Sequence, residues 1–171
     1  MPIDYAKYAE LENYLFGEVA RNFHKRGYLT LEEFFCIVIW KANRSKTKIK
    51  KLLLKKGNDL CKTIKEITSQ IWGTNNKESK LKYLLYDVKF RLPMASAILT
   101  VLYPDTYSIY DVRVREQLKM KEFDGRKDQV DKYFLEFLPK VKQIAPKKNL
   151  REIDKHLWGK SFYYDLKELC K

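Results

Sequence analysis

The sequence predicts an all-α, compact multi-helix domain. Apolar residues recur at three- and four-residue spacing along nearly the whole chain. Helix start and stop residues punctuate those runs. The one weakly alternating stretch, residues 106–110, has no second strand to pair with and reads as an extended connection.

The helices follow in order. Tyr8, Leu11, Leu15, Val19 and Phe23 share one face of a first helix, and Gly27 can close it. Thr30 and Glu33 form a capping-box pattern ahead of Leu31, Phe34, Phe35, Val38 and Ile39. A basic helix over about 46–56 follows, with Gly57 as its stop. Leu60, Ile64, Ile67 and Ile71 make the next stripe, which ends near Gly73. Residues 78–86 suit a short helix. Pro93 can open another, because a first-turn proline gives up no needed amide. Asp111 precedes a helix through about Met120. Val130, Tyr133, Phe134, Phe137, Leu138 and Val141 form the strongest stripe, which Pro139 should kink or divide. Leu150 to Trp158 predicts a further helix, and residues 161–170 a last one. No repeat or linker interrupts residues 1–171, so a single helical domain is expected, with two lobes as the variant arrangement.

Composition narrows the function. The 171 residues carry 35 Lys plus Arg against 22 Asp plus Glu, a formal +13. Such charge favours phosphate-rich or acidic partners. It is concentrated: residues 41–65 hold ten Lys or Arg and one acid, Asp59. Positions 41, 44, 48, 51 and 55 follow helical spacing, so several of these charges share a side. The six glycines are too scattered for a Walker loop or a dinucleotide fingerprint. Cys36, Cys61 and Cys170 lie far apart and offer neither a disulfide framework nor a CxxC pair, which sets a reducing, intracellular expectation, cytoplasmic or nucleoid-associated. His24 and His156 have no ligand-spaced partner, so no metal or cofactor is expected. No apolar run approaches a membrane span, and the first ten residues carry no secretory pattern.

Two runs resemble a known family. The run KFRLPMASAILT, from Lys89 to Thr100, is followed by YSIYDVRV, from Tyr107 to Val114. Together they resemble the helix-hairpin-helix DNA glycosylases, the superfamily of endonuclease III and the adenine glycosylases. There a glycine-bearing hairpin opens a helix, and an aspartate in a D-x-x-V pattern follows about 14 residues after its second alanine. Here Ala97 and Asp111 have that separation. The likeness covers about 84–118, inside a hairpin-like segment of about 78–120. IVIWKANR, from Ile37 to Arg44, is similar to the helix end that carries the family's wedge residue, which falls on Lys41.

The resemblance implies a DNA-binding protein of base-excision type that acts on a flipped nucleotide. It casts Asp111 as the catalytic acid, and Lys89, Phe90 and Arg91 as the hairpin on the phosphate backbone. Lys41, Arg44 and Lys48 become groove-side contacts. The departures are specific. The hairpin glycines are Lys89 and Arg91. The lyase lysine position is Pro93, so a Schiff-base step through it is excluded. The arginine five residues after the aspartate is Glu116. The four-cysteine iron-sulfur cluster is absent. Asp111 also suits plain helix capping. Three readings follow: a monofunctional glycosylase, a binding module without turnover, and a helical interaction protein whose basic face meets an acidic partner. DNA is the first expected ligand and RNA the second. The oligomeric state is open.

Overall fold

A computed structural model describes residues 5–125 and 127–170. Among these, every regular element is a helix and no strand forms. No helix is long and apolar enough to cross a membrane. The chain divides into two compact units, Met1–Phe90 and Arg91–Lys171.

In the first unit, Leu11–Tyr14, a wide π turn at Leu15–Val19 and Ala20–Arg26 run on from one another. Gly27 closes this run in the left-handed region, φ 82°. Trp72 lies against it; a Cβ on Gly27 would come 3.1 Å from the indole. The Thr30–Glu33 capping box is present and opens Leu31–Ala42. That helix packs on Leu60–Gly73 and on the π turn. Phe23, Phe34, Ile37, Leu53, Ile64, Ile71 and Leu84 fill the space between them.

Two charged groups are built into this core. Glu33 is buried, paired with Arg26 and bonded by Asn22 at 3.2 Å. Lys80 sends its ammonium to the carbonyls of Ile71 and Thr74, where Leu60–Gly73 ends. A helix leaves its last carbonyls without intrahelical partners, and a cation there is also favoured by the dipole.

In the second unit, Leu92–Leu102 is buried along almost its whole length and carries Pro93 in its first turn, as predicted. Residues 107–110 form no regular element and are buried beside it. Their backbone is satisfied by side chains: the Tyr110 amide donates to Ser96 Oγ at 2.9 Å, and Tyr133 bonds Ser108. Asp154 is only 2% exposed; it accepts from Ser108 Oγ at 2.9 Å and from Arg151 at 3.0 Å.

Two expectations need correction. The helix after Asp111 ends at Gln117, short of Met120. Lys119 adopts φ 52°, and the Met120 amide folds back to the Arg115 carbonyl at 2.9 Å. The chain from Leu150 onward is one helix, Leu150–Leu169, not two. Glycine inside a helix costs only about 1 kcal/mol relative to alanine. Burial of Leu150, Ile153, Leu157 and Ser161 on both sides of Gly159 keeps the helix continuous. Pro139 divides its stripe by register: a π turn, Tyr133–Phe137, precedes it, and Pro139 falls in the first turn of Leu138–Ile144. Widening the helix there accommodates a residue with no amide to donate.

Candidate nucleic-acid interface

The basic helix Lys46–Leu54 is anchored by two residues, Ile49 and Leu53, both buried. It packs on Leu60–Gly73. At 100° per residue, Lys48 and Lys51 fall on the side away from that anchor; Arg44, in the 3-10 turn Asn43–Ser45, and Lys55 flank the helix. The four positions span about 16 Å of helical rise. All four are exposed, and so is Lys50. None of the five side chains has a hydrogen-bond or ion-pair partner among the described residues.

Neighbouring cations are engaged, which sets this stripe apart. Lys46 donates to Asn43 at 2.7 Å. Lys62 meets Glu66 at 4.0 Å. Lys65 lies 4.6 Å from the ring centre of Tyr28. Lys56, just beyond the helix end, donates to the carbonyl of Asp87. That bond joins the end of the basic helix to the chain two residues before Lys89.

Residues 83–91 have distinct roles. Tyr83–Asp87 is a π turn. Its carbonyls are closed by the Val88 amide on Tyr83, at 3.0 Å, and the Phe90 amide on Leu84, at 2.9 Å. Lys89 between them is left-handed, φ 72°. This is the position where the resembled family has a glycine, and a lysine there carries about 1 kcal/mol of backbone cost. The Lys89 side chain is exposed. Phe90 is core: its ring is 2% exposed and 6.2 Å from that of Phe34. Its amide is already used, so Phe90 anchors this turn and leaves outward contacts to Lys89. Arg91 opens the second unit as the exposed, extended residue before Leu92–Leu102.

Asp111 caps Val112–Gln117, its Oδ1 accepting from the Arg113 amide at 3.0 Å. It is partly exposed. The expected capping role is therefore present in the geometry. Lys41, in the last turn of Leu31–Ala42, is partly buried, and Trp40 beside it meets Phe16 edge-on at 5.5 Å.

Lys41, Arg44, Lys48 and Lys89 thus belong to the first unit, and Arg91 and Asp111 to the second. Lys51, Lys55 and Lys56 are missing from the sequence-derived site. The first two were visible in the helical spacing; the bond from Lys56 to Asp87 had no sequence signal. No protein-family model, curated protein or solved structure matches this chain.

Proposed function

We propose that this protein binds nucleic acid, DNA in the first place, through the stripe Arg44, Lys48, Lys51 and Lys55 together with Lys89. One observation carries the reading: four exposed cations without anionic partners, two on a helix and two flanking it, next to Lys56, which bonds the chain just ahead of Lys89. Gathering like charge without local compensation raises the positive potential toward a polyanion, and phosphate contacts supply affinity without reading sequence.

Within this reading, the resemblance to the helix-hairpin-helix glycosylases assigns Asp111 the charge-stabilising role at a flipped nucleotide. The reaction would be hydrolysis of an N-glycosidic bond, with no lyase step, since Pro93 offers no amine. Binding ranks above turnover here. The basic stripe supports binding whether or not the family applies, whereas Glu116 and the committed amide of Phe90 depart from the family's machinery. The proposed setting is intracellular.

The test is a salt series of binding to a duplex containing an abasic-site analogue and to the same duplex undamaged. Five neutralised phosphates give a log–log salt slope of about −4.5, and Lys48→Ala with Lys51→Ala should reduce its magnitude by about 2. Preference for the abasic site supports the flipped-nucleotide role and calls for a base-excision assay with Asp111→Asn, which retains an N-capping side chain. Equal, salt-steep binding to both leaves a sequence-independent module. No binding at low salt overturns the proposal in favour of an acidic protein partner.

A further inference from the structure

The helix Leu150–Leu169 uses only one face inside its unit. Leu150, Ile153, Asp154, Leu157 and Ser161 are buried, and the helix packs on Val112–Gln117. Trp158, Phe162, Leu166 and Leu169 lie elsewhere. At 100° per residue they fall within about 80° of one another, a continuous apolar stripe. All four are exposed, Leu169 to 84%.

The stripe is ordered. The Trp158 and Phe162 rings stack at 5.4 Å with an interplanar angle of 14°. The Arg113 guanidinium lies 5.5 Å from both ring centres and pairs with Asp165. The rings are therefore held in place before any partner arrives, which lowers the entropy lost on association.

The geometry points to a second copy of this chain as the occupant of this stripe, paired about a two-fold axis with the two helices antiparallel. Two observations argue for it. The first is shape. Gly159 borders the stripe, and a Cβ there would meet nothing within 4 Å. An antiparallel pair centred between Phe162 and Tyr163 sets Gly159 of each copy opposite Leu166 of the other. One surface then supplies both the knob and the slot, as an isologous interface requires. A parallel pair would set glycine against glycine and leave the slot empty.

The second is area. With full side-chain areas of about 150–250 Å² for the aromatics, the exposed fractions of the stripe and of Tyr163 at its edge leave roughly 500 Å² per copy. Two copies would bury about 1,000 Å², the size at which a specific interface begins. This inference does not depend on the nucleic-acid reading, and salt separates the two. Each copy carries +13, so screening strengthens self-association while it weakens phosphate binding.

Sedimentation equilibrium of the full chain over a range of protein concentrations and salt tests it. The expected result is a concentration-dependent rise from 20.5 kDa to twice that mass, shifted to lower concentration at higher salt. Leu169→Glu, at a position with few contacts in its own chain, should raise the dissociation constant at least tenfold. Gly159→Leu should raise the melting temperature of the dilute monomer, because it replaces a helix-interior glycine in open space, yet weaken the dimer by filling the slot. In a Cys36→Ser, Cys61→Ser background, Lys155→Cys should cross-link to Cys170 of the second copy on mild oxidation. A monomer at every concentration overturns the proposal. So does a dimer indifferent to both Leu169→Glu and Gly159→Leu, or cross-linking through two Cys170 residues without need of Lys155→Cys.

Discussion

The hydroxyl of Tyr133 holds both backbone groups of Ser108: it accepts from the amide at 3.0 Å and donates to the carbonyl at 2.6 Å. The two residues are 25 positions apart and both are buried. A buried segment outside any helix or sheet must find partners for its amides and carbonyls elsewhere. Tyr133 and Ser96 provide them for residues 108–110, the segment that leads into Asp111.

Tyr133→Phe removes the hydroxyl and leaves a buried amide and a buried carbonyl unsatisfied. Each such group costs about 1–3 kcal/mol. The expected loss is therefore about 2–6 kcal/mol, read as a lower denaturant midpoint with an unchanged slope. An unchanged midpoint would show that residues 107–110 are held by something other than this tyrosine.

Gly27→Ala should destabilise the first unit. The new Cβ would meet Trp72 at 3.1 Å, and φ is 82°. Placing alanine in the left-handed region costs about 1–2 kcal/mol before any displacement of the indole. Chemical denaturation followed by tryptophan fluorescence reads both effects, since Trp72 also packs on Phe23 and His24.

Lys89→Gly separates backbone from side chain at this left-handed turn. Glycine relieves the left-handed conformation, so stability should rise by up to about 1 kcal/mol. The proposed phosphate contact is lost at the same time, and the salt slope of DNA binding should fall in magnitude by about 0.9. Higher stability with unchanged affinity would remove Lys89 from the interface.

Alkaline pH should unfold the protein through its tyrosines. Burial raises the pKa of Tyr103 from the ordinary 10.0 to about 12. Burial likewise raises Tyr14, Tyr83, Tyr110 and Tyr133. For a phenol whose folded pKa lies above the unfolded one, the unfolded chain binds fewer protons in the window between them. Stability is then intact below pH 10 and is lost as pH rises through the folded values, around 12 for Tyr103. Absorbance titration should show these five of the twelve tyrosines ionising late and together with loss of helical circular dichroism. Ionisation of all twelve near pH 10 in a folded chain would contradict this.

The sequence by itself determined the local elements. The capping box at Thr30 and Glu33, the stop at Gly27, the start at Pro93 and the cap at Asp111 each act within one helical turn, so residue type and spacing suffice. The concentration of charge in residues 41–65 was equally plain. Only the tertiary structure decided which of those charges stay unpartnered. It also placed Lys56 on Asp87, buried Glu33 and Lys80 against specific partners, and turned Phe90 into the core. The continuity of Leu150–Leu169 past Gly159 belongs with these. Such outcomes rest on contacts between residues distant in sequence or on burial of a whole face. Local pattern carries neither, because the free energy that settles them comes from packing.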